Sequence, residues 1–410
     1  MKKPLALVAA VLAAPVFLAA VAPAQARPPA PDDLEYTLDA EVLDGGQQVV
    51  SLTIDARGLG LDPRSLSEDT FEVRATATNP FPALDGQVGG TYTDVERTVT
   101  DVRRAPGGRI VVDLEDGYGV PGAGTLGYAF RVGRNVELDL DYSVTQVEPL
   151  TVRGRSTYLD LEQGDLVDPE VDAFTAGEAN GLAYRLFTPR QGGERPLVLW
   201  LHGGGEGGWD GSYDNDLVLQ ANRGALGFAT PEAQAIFGGA YVLAPQAPTR
   251  WLDDPQLGYS EQLKGMLDEF VATHRVDTDR IYVVGASNGG YMAAELTADY
   301  PDLFAASVPI AAVRLLGQEV VLTDAELEAM GGTPTWVVHA ENDTTVPFGP
   351  NGQYIAEHVP GALLSAYPDV TYDGVTYPGH WSWIYVGRND PTTADGTRIW
   401  QWLAAQSLDD

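Results

Sequence analysis

Ser287 sits in Gly285-Ala286-Ser287-Asn288-Gly289, a Gly-x-Ser-x-Gly pattern. A β-branched run from Ile281 to Val284 precedes it, and Tyr291 to Leu296 reads as the first turns of a helix. Strand, sharp turn and helix are the context in which such a serine acts as a nucleophile. The turn is strained, so its neighbours must be small. The helix N-terminus behind the hydroxyl favours developing negative charge. The five-residue pattern alone also fits an ordinary turn; the flanking elements point to the nucleophile.

A serine hydroxyl needs a base within hydrogen-bond reach and an acid that orients the base. In a strand–turn–helix setting of this kind the partners follow in the order acid, then histidine. Trp336 to Ala340 reads as a strand that runs into Glu341-Asn342-Asp343-Thr344-Thr345-Val346-Pro347. Asp343, just past the strand end, is the candidate acid, with Glu341 as the local competitor. The chain holds five histidines. His202 and His274 precede the acid. His339 lies on the strand and His358 in an expected helix. His380, in the turn-rich Tyr377-Pro378-Gly379-His380-Trp381 segment, is the candidate base.

Leu201-His202-Gly203-Gly204-Gly205-Glu206 follows a buried strand. Glycines there let backbone N–H groups turn towards a carbonyl oxygen. The expected oxyanion donors are the N–H groups of Asn288 and Gly204, with Gly205 as the fallback. The loop lacks Gly-Lys-Ser/Thr, which excludes a phosphate-binding P-loop. Trp209, Trp251, Tyr291 and Trp381 are candidates for lining a substrate pocket, competing with plain core or rim roles. Residues 314–332, with Leu322, Leu327 and Met330, are a candidate cover over the site.

These residues need a scaffold. Apolar runs at Leu197 to Leu201, Tyr241 to Ala244, Ile281 to Val284, Ala305 to Val313 and Trp336 to His339 alternate with helical stretches. Such runs read as strands buried on both faces of a mostly parallel sheet flanked by helices, an α/β class of fold. This domain is expected over 174–408. Ahead of it, residues 34–147 alternate with period two in about seven short strands, an antiparallel sandwich of immunoglobulin-like type. Its acidic strand faces read as a solvated surface; a calcium site is the weaker alternative. Residues 148–173 read as a charged linker. Residues 1–26 read as a signal peptide: Lys2 and Lys3, an apolar run broken by Pro15, then Ala24-Gln25-Ala26.

Cysteine is absent, which excludes thiol catalysis and thiolate metal sites. A formal charge of −33 argues against nucleic acid and anionic membrane surfaces as partners. It fits either an exported protein exposed to salt or plain compositional bias. No cofactor or metal is expected. The expected location is secreted.

The loop Leu201 to Glu206, the turn Gly285 to Gly289, Asp343 to Pro347 and Gly379-His380-Trp381, in this order, resemble an α/β-hydrolase. The likeness is to secreted serine esterases of the polyhydroxybutyrate-depolymerase and feruloyl-esterase type, relatives of the prolyl oligopeptidase catalytic domain. An immunoglobulin-like domain ahead of such a domain also resembles a known bacterial esterase type. The resemblance implies carboxylic ester hydrolysis, of a small or polymeric substrate, through Ser287, His380 and Asp343. Two readings compete: a secreted serine peptidase, and a non-catalytic binding protein. The 115 or so residues ahead of the linker are too few for the β-propeller of prolyl oligopeptidases, which disfavours the first.

Overall fold

The structure, a computed structural model, describes residues 34–209, 214–252 and 257–409. The expected leader, residues 1–26, lies outside the described residues. Among those described, no helix is long and apolar enough to cross a membrane.

The strand Arg195–Leu201 explains the larger domain. Leu197, Leu199 and Leu201 face one side of the sheet and Val198 and Trp200 the other, all buried. Ile281 and Val283 against Tyr282, Val284 and Ala286 repeat the split one strand over. A strand apolar on both faces is stable only between two helical layers. One layer holds Tyr259–Thr273 and Asn288–Asp299; the other holds Gly224–Ala229, Pro231–Phe237 and Ile399–Ala404. The eight-stranded sheet runs Thr175–Ala179, Leu182–Phe187, Tyr241–Pro245, Arg195–Leu201, Val276–Ala286, Ala306–Ile310, Trp336–Ala340, Leu363–Tyr367. Only Leu182–Phe187 runs against the rest. This is the α/β-hydrolase arrangement, and it gathers the carboxyl ends of the central strands at one edge.

The smaller domain is a β-sandwich. A five-stranded sheet (Leu161–Val167, Leu34–Leu43, Gly46–Ile54, Arg109–Leu114, Val99–Ala105) packs on a three-stranded one (Asp139–Gln146, Phe71–Thr78, Tyr92–Arg97) around Tyr36, Leu38, Leu52, Val73, Val112 and Tyr142. The expected linker of 148–173 differs in the structure. Leu161–Val167 pairs in parallel with Leu34–Leu43 as an edge strand of the sandwich. All its residues are exposed or partly exposed, so no apolar alternation betrays it. A third small sheet, Val88–Gly89 with Leu126–Ala129 and Arg134–Glu137, leaves the sandwich and leans on the hydrolase domain.

The two domains are fastened together. Arg223 donates to Val42 O at 2.6 Å and to the Glu170 carboxylate at 2.6 and 2.9 Å, and Arg388 pairs with Asp44 at 2.8 Å. Val42 of the sandwich is buried within the hydrolase core beside Val171 and Phe174.

Candidate active site

Ser287 occupies the turn between Val276–Ala286 and Asn288–Asp299, with φ 56° and ψ −112°. For a residue with a side chain this is a strained conformation that persists only where the surroundings enforce it. They do. Ser287 N–H donates to Ile310 O at 2.8 Å, and Tyr291 N–H to Ser287 O at 3.0 Å. A Cβ on Gly285 would strike the Gly289 carbonyl, and one on Gly289 the carbonyls of Leu201 and His202. The two glycines of the motif are thus the price of bringing strand, turn and neighbouring strand into contact.

His380 Nδ1 lies 2.7 Å from Asp343 Oδ2, and Nε2 lies 2.9 Å from Ser287 Oγ. With Nδ1–H donated to the carboxylate, Nε2 is left to accept the serine proton. The Asp343 Oδ1 accepts N–H bonds from Thr345 at 2.8 Å and Val346 at 2.9 Å. His339 Nε2, 3.1 Å from Oδ2, adds a further contact. Burial pushes the Asp343 carboxyl up, but the hydrogen bonds from His339, His380 and Val346 outweigh it and hold the group well below the usual carboxylate range. Glu341, the competing acid, is exposed. His202 is fully buried, accepting Ala247 N–H on Nε2 at 3.0 Å and donating from Nδ1 to Gly203 O at 2.6 Å. Burial pushes it down to about 4, so it is a neutral structural group.

The Gly204–Glu206 turn stands against this serine: a Cβ built on Gly203 would lie 3.8 Å from Ser287 Cβ, and one on Gly204 3.9 Å from Asn288 Cβ. The first N–H groups of the Asn288–Asp299 helix have no acceptor within the helix, which leaves Asn288 N–H beside Ser287. A cavity of about 990 Å³ opens over the serine, lined by Ser287, His380, Trp381, Trp383, Gly203 to Glu206 and Arg250. Much of the rest of its lining belongs to the sandwich, including Gly45 to Gln48, Tyr118, Tyr128, Phe130 and Asn135. Tyr118 packs on Tyr377 and Trp381 with ring centroids 5.0 and 5.6 Å apart.

Of the candidate pocket residues, Trp381 lines this cavity and three others do not. Trp209 packs edge-on to Phe81 and lines a smaller cavity of about 250 Å³. Trp251 is buried, donating Nε1–H to His202 O at 3.1 Å. Tyr291 is buried in the helical layer, its hydroxyl bonded to Glu295. Loop aromatics pack wherever apolar neighbours await them, and the sequence does not say on which side. The expected cover over 314–332 is likewise corrected: Leu322, Leu327 and Met330 are fully buried in that same layer. The sandwich does the covering. Tyr118, Tyr128 and Phe130 were missed at the sequence level; their signal is aromatics beside glycines, Gly117 and Gly119, Gly127, and Gly133, in a domain that otherwise looks inert.

Comparison with known proteins agrees with this architecture. Residues 35–159 match the esterase Ig-like N-terminal domain family, and residues 252–328 the prolyl oligopeptidase family. A stretch of 154 residues is 31% identical to the putative esterase NocK of Nocardia uniformis, covering 38% of this chain and 42% of that one. Over 54 residues it is 43% identical to poly(3-hydroxyalkanoate) depolymerase C of Paucimonas lemoignei, 13% of each chain. The chain thus spans less than half the length of these curated relatives. The crystal structure of a thermostable esterase superposes with a TM-score of 0.73 at 25% identity, covering 91% of this chain and 99% of the other. The class is therefore an α/β-hydrolase. In particular, it is an α/β-hydrolase preceded by an immunoglobulin-like domain of the kind found in esterases.

Proposed function

We propose that the protein is a secreted serine hydrolase that cleaves carboxylic esters through an acyl-enzyme. Ser287 attacks the acyl carbonyl while His380 takes its proton; Asp343 orients the imidazole and stabilises its charged form. The N–H groups of Asn288 and Gly204 receive the tetrahedral oxyanion, an interaction typically worth about 3–4 kcal/mol per donor in such sites. His380 then protonates the leaving alcohol, and water releases the acyl group by the reverse path. The observation that carries this reading is the unbroken Asp343–His380–Ser287 hydrogen-bond chain opening into a cavity. The esterase relatives support the choice of ester over amide. Residues 1–26 support export.

A fluorophosphonate probe should label Ser287 stoichiometrically. Wild type should hydrolyse p-nitrophenyl acetate and butyrate and spare aminoacyl-nitroanilides, and Ser287→Ala should be inert and folded. Anilide turnover matching ester turnover would favour a peptidase. Absence of both labelling and turnover would leave a binding protein.

A further inference from the structure

We propose that Glu206 is the positioning residue of the oxyanion loop and that Asn135, reaching across from the sandwich domain, holds it in place. This rests on the assignment of the loop N–H groups as oxyanion donors. The loop reads Gly203-Gly204-Gly205-Glu206-Gly207-Gly208, so Glu206 carries its one functional side chain. Glycines free the backbone to turn its N–H groups inward, and the same freedom must be removed before those groups can bind an oxyanion without reorganising.

Glu206 removes it. The side chain is buried, and the backbone N–H groups of Gly203 and Glu206 favour its charged form against that burial. The carboxylate thus stands at the start of the turn whose Gly204 N–H is assigned to the oxyanion. The Cβ point on Gly203 lies 3.1 Å from Glu206 Oε2 and 3.8 Å from Ser287 Cβ, so carboxylate and nucleophile flank one glycine. The Glu206 carbonyl accepts from Gln246 Nε2 at 2.7 Å.

The remaining carboxylate oxygen is held from the other domain. Asn135 Nδ2 donates to Glu206 Oε1 at 2.8 Å, across 71 positions of sequence. From the same strand, Arg134 Nε donates to Gly208 O at 3.2 Å. Strand Arg134–Glu137 therefore grips the loop at its acid and at its far end. Burial pushes the Glu206 carboxyl up to about 7 against the pull of the backbone N–H groups, Arg134 and Asn135. A buried acid held by the loop on one side and by Asn135 on the other is placed there for the loop.

The test uses the full chain and p-nitrophenyl acetate, with circular dichroism and thermal melting to establish folding. Glu206→Gln sets an amide NH₂ against the Asn135 NH₂; Asn135→Ala removes the clamp. Each should lower kcat by roughly ten- to a hundredfold with KM changed less than about threefold. The reciprocal pair Asn135→Asp with Glu206→Gln restores one donor and one acceptor and should recover at least about tenfold over Glu206→Gln alone. Wild-type kcat in Glu206→Gln, or no recovery in the pair, overturns the proposal. Should Glu206→Gln not fold, Asn135→Ala decides: an unchanged kcat overturns the proposal. Inactive wild type would instead sink the ester-hydrolase reading itself, so the two failures are distinguishable.

Discussion

Asp343 and Glu206 are both nearly inaccessible carboxylates close to Ser287, 5% and 7% exposed, and they answer burial in opposite ways. Asp343 is met by two backbone N–H groups and two imidazoles, and its acidity rises. Glu206 is met mainly by its own loop and one neutral amide, with no imidazole beside it; its acidity falls. Glu137, on the same sandwich strand as Asn135, shifts the same way as Glu206. Its carboxylate stands beside Asp214 and Asp216 with Gln220 as its donor, and desolvation of the carboxylate followed by the Asp214 charge pushes it up to about 7. Depth alone does not decide whether a buried carboxylate is a fixed charge; the donors and charges around it do. Within the hydrolase domain the partners come from a strand and loops at the same sheet edge. At the seam they come from another domain, and the match is looser.

The largest effect should come from spoiling the well-matched acid. Asp343→Asn offers His380 a donor in place of an acceptor, so the imidazole adopts the wrong tautomer; kcat on a p-nitrophenyl ester should drop by about 10⁴ with the fold intact. A loss under tenfold would break the contrast, since Asp343 would then matter no more than the seam. Glu137→Gln acts on the poorly matched side. The folded group keeps its proton up to about 7, while an unfolded glutamate loses it near 4.5. Across that window the native state binds more protons, so this contribution to stability is whole below pH 4.5 and declines as pH rises to 7. Melting curves at intervals from pH 4.5 to 8 should show the decline in wild type and a flatter profile in Glu137→Gln; parallel profiles would refute it. The smallest effect belongs to His339→Asn. Asp343 keeps three of its four donors, so kcat should fall by roughly two- to tenfold, a change read from the same ester assay.

The sequence and the structure agree most where the physics is local. The Ser287 turn was legible because strand, small residues and helix are contiguous, and chain order then left one carboxylate segment and one loop histidine to bring beside it. The sheet was legible because Arg195–Leu201 and its neighbours are apolar on both faces. What was illegible depends on docking. Asn135 and Glu206 meet only because a hairpin leaves the sandwich and comes down on the loop. Trp251 and Tyr291 carry the composition of pocket residues and the burial of core ones. Strand Leu161–Val167 hid because an edge strand with no buried residue has no periodic signature.

That strand has a consequence for how the molecule can be taken apart. It closes the sandwich by pairing with Leu34–Leu43 and runs on, within a few residues, to Val171 and Phe174 in the hydrolase core. There is no tether to lengthen or cut. A transplant of the front module onto another enzyme would have to carry this ribbon with it, and a protease nick there would strip an edge from one half while loosening the wall of the other.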